Sequence, residues 1–143
     1  MSIFNNIETA PAPNQGRYFQ DGTYVCELHR FTTGTSRKDG TPYVAVEATV
    51  KTVLNGYDES NQIGERVSWV IMRRQEETFL SSIKGFVAAA AQCPYEAVSA
   101  ELCDKLSDGD GSEVAGIEVV ADANTITTRK GSPFMKVVWR SVE

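Results

Sequence analysis

Between residues 42 and 53 the chain reads PYVAVEATVKTV, and apolar residues recur at every second position from Val44 to Val50. Val44, Val46, Ala48 and Val50 share one side, while Tyr43, Glu47, Thr49 and Lys51 share the other. That period fits an extended strand with one face in a core, because successive side chains of a strand point to opposite faces. Further on the period switches. In EETFLSSIKGFVAAAAQC, Phe79, Leu80, Ile83, Phe86, Val87 and Ala90 recur at three- and four-residue steps, the apolar stripe of a helix, and Pro94 stops it.

The neighbouring segments extend the pattern. GTYVCELHRF, residues 22–31, reads as a first strand, and the connector TGTSRKDGTP takes its turn from Asp39-Gly40. NGYDESNQIG is a polar loop, and ERVSWVIMR, residues 65–73, is a third strand that is apolar on both sides near its middle. YEAVSAELCDKL, residues 95–106, predicts a second short helix with Val98, Leu102 and Leu106 on one side. VAGIEVVADANTITT and FMKVVWRSV, joined by RKGSP, read as a closing strand pair. The order of three strands, a helical segment and two strands predicts a mainly β protein: an OB-fold-like five-stranded Greek-key barrel with a helical insertion, residues 75–107, between strands 3 and 4. Residues 21–143 form one domain in this reading, and residues 1–20, rich in Pro, Asn and Gln, form a flexible arm tacked down near Tyr18 and Phe19. At 143 residues the fold hides roughly two thirds of the unfolded surface, enough for a core without disulfides.

Three cysteines (Cys26, Cys93, Cys103) without a CxxC pair, and a start, MSIFNNIETA, unlike a secretory signal, lead us to expect a cytoplasmic protein. The longest apolar run, FVAAAA, is far short of the ~20 residues that cross a bilayer. The net charge of −5 speaks against a generic nucleic-acid binder. Its distribution alters that judgement. Residues 75–113 hold eight acids against two bases, while residues 129–140 hold Arg129, Lys130, Lys136 and Arg140 and no acid. Fields are felt over about a Debye length, ~8–10 Å, so a basic face on an acidic protein is coherent.

Two stretches share one layout. SRKDGTPYVAVEA, residues 36–48, is echoed by TRKGSPFMKVVWR, residues 128–140: Arg-Lys, a Gly turn, Pro, an aromatic residue and a strand. In an OB-fold these fall on the loops joining strands 1 to 2 and 4 to 5, which flank the ligand-binding face. Strand parity turns Tyr43 and Phe134 outward, with Lys136 and Arg140. Cations follow phosphates and flat rings stack on bases, so Arg37, Lys38, Tyr43, Arg129, Lys130, Phe134, Lys136 and Arg140 are the candidate site, two fingers close in space gripping a single strand of nucleic acid. The plainer reading is a pair of soluble turns with cross-strand packing.

The same residues carry a resemblance. DGTYVCEL, SRKDGTPYVAVEATV, GERVSWVIM, FLSSIKGFVAAAAQ and RKGSPFMKVVW together resemble bacteriophage-encoded proteins of the single-stranded-DNA-binding type over about residues 16–141. The resemblance implies an OB-like fold, non-sequence-specific binding of single-stranded DNA, partners among replication or recombination proteins, and neither catalytic residues nor a cofactor. Many such proteins finish in an acidic tail ending in an aromatic residue, whereas this chain finishes KVVWRSVE, and the acidic stretch from Glu101 to Glu113 is the candidate surrogate.

Other chemistry finds little support. His29, the single histidine, reads as a strand residue and no zinc spacing accompanies it. Asp108 to Glu113 does not fit a calcium loop, and Glu76-Glu77 complement the helix dipole. Trp69 shares parity with Val67 and Ile71 and belongs to the core, and Cys93 and Cys103 read as small buried groups. The competing function is a protein-interaction module using the acidic helical region; unpaired sheet edges would also permit a homodimer.

Overall fold

The computed structural model describes residues 17–73, 76–127, 131 and 133–142. Its strands are β1 (Arg17–Tyr18), β2 (Gly22–Thr35), β3 (Pro42–Asn55), β4 (Arg66–Met72), β5 (Glu118–Thr127) and β6 (Pro133–Ser141). Helices α1 (Glu76–Ala91) and α2 (Ala100–Leu106) fall between β4 and β5. All belong to one open sheet in the order β1-β4-β3-β2-β5-β6. The five long strands pair antiparallel, and β1 adds a short parallel pairing with Val67 and Ser68 of β4. The expected mainly β architecture, with helices between its third and fourth long strands, is present.

Alternation sets the core. Val44, Val46, Ala48 and Val50 of β3 are buried, as are Tyr24, Cys26 and Leu28 of β2 and Val67, Trp69 and Ile71 of β4. Helix α1 adds Phe79, Ile83, Phe86, Val87 and Ala90 and packs chiefly on β6. Leu80, expected in the stripe, is 53% exposed. Phe86 sits at the centre of a ring cluster, 5.0 Å from Phe31, 5.0 Å from Trp139 and 6.2 Å from Trp69. Phe19, directly after β1, adds an edge contact to Trp139 at 5.6 Å. Phe19 is therefore docked in the core, while Tyr18 is exposed.

Several local expectations are corrected. β2 and β3 each run 14 residues, so the connector between them shrinks to a tight turn. Helix α1 ends before Pro94, because Gln92 takes the left-handed conformation (φ 56°) and Cys93 N–H reaches back to Ala88 O at 3.1 Å. The second predicted helix is broken at Val98, whose extended backbone separates a 3-10 turn, Tyr95–Ala97, from α2; Ser99 caps α2 by accepting from Leu102 N–H. Cys93 and Cys103 are half-buried.

The polar loop between β3 and β4 is a buried polar latch. Asn61 and Glu65 are 2% and 3% exposed. Asn61 Oδ1 accepts from Gln20 N–H at 2.8 Å, its Nδ2 donates to Glu65 Oε2 at 2.7 Å, and Glu65 Oε1 accepts from Gln62 N–H at 3.0 Å. Tyr24 Oη donates to Gln20 O at 2.7 Å and accepts from Asn61 N–H at 3.1 Å. Each buried polar group thereby gains a partner, and the loop is fastened to the start of β2.

Candidate nucleic-acid interface

The first hairpin is built by its turn. Ser36 N–H donates to Thr41 O and Gly40 N–H to Ser36 O, both at 2.8 Å, while Asp39 Oδ1 accepts from Thr41 N–H at 3.0 Å. Gly40 supplies the left-handed residue at φ 73°, as the Asp-Gly pair predicted. Arg37 and Lys38 stand exposed at the tip.

Below the tip, the side of β3 away from the core carries Tyr43 and Ala45, opposite Met72 and Val70 of β4. Tyr43 is half-buried because its ring lies across Gly34 of β2, where a Cβ would stand 2.6 Å from Tyr43 Oη. Cross-strand packing thus holds one part of the ring and leaves the rest accessible. Val70 is 39% exposed. Among the described residues α1 meets the sheet from the core side, where Phe86 lies against Phe31, Trp69 and Trp139.

A register shift between Leu28 and Arg30 adds a residue to this surface. The buried positions of β2 run Tyr24, Cys26, Leu28 and then Phe31, so His29 and Arg30 follow one another on the side away from the core. His29 Nε2 lies 2.7 Å from Thr49 Oγ1, which settles it as a strand residue with a neutral partner. Arg30 is exposed opposite Glu47. Arg30, Val70 and Met72 were missed from sequence. Their signals were the parity break at His29-Arg30 and the two-sided apolar run of β4.

The second hairpin pairs Ile126 with Phe134, Asn124 with Lys136, Asp122 with Val138 and Val120 with Arg140. Phe134 is 38% exposed and Val138 49%, while Lys136 and Arg140 are exposed, as parity predicted. Met135 is half-buried, and Val137 and Trp139 are buried. Arg140 Nε lies 3.4 Å from Asp122 Oδ2, and Asp122 Oδ1 also accepts from Thr23 Oγ1 at 2.6 Å. An exposed pair of this kind holds its cation loosely. Asp21 Oδ1 anchors the hairpin's base, accepting from Thr125 N–H at 2.7 Å and from Thr125 Oγ1 at 2.8 Å. Arg129 and Lys130 lie outside the described residues.

Register fixes how the two hairpins relate. β3 meets β2 at its far end, Thr35 to Pro42, whereas β5 leaves β2 at its beginning, Ala123 to Gly22. The hairpins therefore point away from each other along β2, and the expected pair of neighbouring fingers becomes two patches at opposite ends of that strand.

Charge distinguishes the patches from their surroundings. Lys51 is paired with Glu27 at 3.5 Å, whereas Arg30, Arg37 and Lys38 have no ion pair among the described residues. The acidic side of the molecule carries Glu101, Asp104, Asp108, Asp110 and Glu113, all exposed. Ser112, by its side chain and then its backbone N–H, holds the Asp110 carboxyl below the usual carboxylate range, and the Arg30 charge adds to this. Among the described residues no three His, Cys, Asp or Glu side chains gather as a metal site, and no helix is long and apolar enough to cross a membrane. With this geometry established, comparison of sequence adds no assignment: no family model matches the chain, and no curated protein matches it.

Proposed function

We propose that this chain is a single-stranded DNA-binding protein that binds without sequence specificity, catalysis or a cofactor, and that it serves phage DNA replication or recombination. The proposed scaffold is an OB-like Greek-key barrel. Its support is the strand order, in which β2, β3 and β4 form a meander and β5 returns beside β2 before turning into β6. In that fold the loops joining the first to the second and the fourth to the fifth long strand flank the binding face.

The observation that carries the reading is the patch of Tyr43, Ala45, Val70 and Met72 on the side of β3 and β4 away from the core, half-buried but for the exposed Val70 and bordered by Arg30, Arg37 and Lys38. A flat ring with apolar neighbours accepts an unstacked base, and cations at its margin neutralise the adjacent phosphates. Phe134, Lys136 and Arg140 extend the contact at the other end, and Arg129 and Lys130 remain part of the proposed site. Trp69 and Trp139 are 4% and 6% exposed, so tryptophan quenching would not report stacking. The test is anisotropy of a dye-labelled oligo-dT at about 50 and about 200 mM salt, beside duplex DNA and RNA. Binding that weakens steeply with salt and prefers the single strand is expected; absence of binding at micromolar protein and low salt would sink the proposal.

A second reading is a protein-interaction module. It is favoured by Glu101, Asp104 and Asp108, which are exposed and form no ion pair among the described residues. Capture of a partner that survives nuclease and high salt would support it. Homodimerisation through an open sheet edge is compatible with either and is read from light-scattering mass.

A further inference from the structure

The loop after α2 does not hang free but is seated on β2 beside the candidate interface. Phe31 N–H donates to Gly111 O at 3.0 Å. Gly111 is at φ 77°, and a Cβ there would clash with Phe31 O and stand 2.7 Å from Thr32 Cγ2, so the loop backbone lies directly against the strand. Phe31 follows Arg30 and Gly111 follows Asp110, so this one contact brings Arg30 and Asp110 to the same margin of the sheet, close enough for the Arg30 charge to act on the Asp110 carboxyl. Asp110 is further fixed by accepting from Ser112 N–H at 3.1 Å. It is exposed, with Asp108 two residues before it and Glu113 three residues after it, also exposed.

Resting on the nucleic-acid reading above, we propose that Asp110 is the repulsive boundary of the interface. Its charge competes with phosphates for Arg30 and turns the path of a bound strand away from the acidic side, toward β3 and β4. A fixed anion beside a cation weakens the cation's hold on a second anion, and specificity for a path is obtained by repulsion as much as by attraction. Tyr43, Val70 and Met72 occupy the side toward which the strand is turned.

The test compares the full chain with Asp110→Asn and Asp104→Asn, using dye-labelled oligo-dT at low and moderate salt. Both variants remove one negative charge, but Asp104 lies on α2, seven residues before the Gly111 contact with β2, and Asn at 110 keeps the oxygen that accepts from Ser112. Asp110→Asn should tighten binding about two- to five-fold at low salt, an effect that shrinks as salt rises, while Asp104→Asn stays near the wild type. Arg30→Gln should cost more affinity in the Asp110→Asn background than in the wild type. Unchanged affinity for Asp110→Asn, or an equal gain for Asp104→Asn, would overturn the boundary while leaving DNA binding intact. A wild-type chain that binds no oligo-dT, with Asp110→Asn equally inert, would overturn both.

Discussion

The indole rings of Trp69 and Trp139 meet at 5.5 Å with their planes at 63°, although β4 and β6 share no ladder and three strands separate them in the sheet order. An open sheet brings such positions together only by curling. Phe86 from α1 and Phe19 from the arm fill the seam that hydrogen bonds leave open. Aromatic contacts of this kind add about 0.5–1.5 kcal/mol each beyond burial, so the seam is closed by side chains.

The seam makes a stability prediction. Trp69→Ala and Trp139→Ala should each cost about 3–5 kcal/mol, read from the denaturant midpoint. Among the described residues Trp139 Nε1 is buried without a hydrogen-bond partner. Trp139→Phe, which keeps a ring and removes that donor, should therefore cost clearly less than Trp139→Ala. Equal losses would mean that the ring contacts are incidental.

The interface makes a binding prediction. Tyr43→Ala should weaken oligo-dT binding by about 1–3 kcal/mol with little change in melting temperature, and Arg37→Gln or Lys38→Gln should each lower the salt slope by about one. Gly34→Ala should push the Tyr43 ring from its seat and reproduce part of the Tyr43→Ala loss. Phe134→Ala acts at the other end of β2, so its effect should add to that of Tyr43→Ala in the double variant. Wild-type affinity in the double variant would reject stacking.

The latch makes a local prediction. Asn61→Ala removes the Nδ2 donor to Glu65 Oε2 and the acceptor of the Gln20 N–H, at a cost of about 1–3 kcal/mol. Hydrogen exchange should accelerate first across residues 18–21 and 57–65, ahead of β3. Asp58→Ala, exposed in the same loop, should change stability by less than about 0.5 kcal/mol.

Cys26 makes a pH prediction. Burial pushes its thiol from 9.0 up to about 12. Above the unfolded value the unfolded chain has lost this proton while the folded chain retains it, so stability falls as pH rises through the window from 9.0 to about 12. Stability measured across that window should decline less steeply in Cys26→Ala than in the wild type, and iodoacetamide should leave Cys26 unmodified until the fold opens. A native-state adduct at Cys26 would contradict its burial.

Much of the architecture was legible because it depends on local periodicity. The inward set of β3, the stripe of α1 apart from Leu80, the Asp39-Gly40 turn and the outward parity of Tyr43 and Phe134 follow from neighbours a few residues apart. The bulge at His29-Arg30, the latch around Asn61 and Glu65, and the Gly111 contact with Phe31 were not, because each depends on a partner distant in sequence.

By itself the sequence determined where strands and helix form and which side of each strand is apolar, since alternation and the three- and four-residue steps are properties of consecutive residues. Only the tertiary structure decided that the two basic hairpins leave β2 at opposite ends, that Arg30 joins Tyr43 outside the core, and that an acidic loop is seated beside Arg30. Those outcomes depend on register and on long-range hydrogen bonds, which no local pattern encodes.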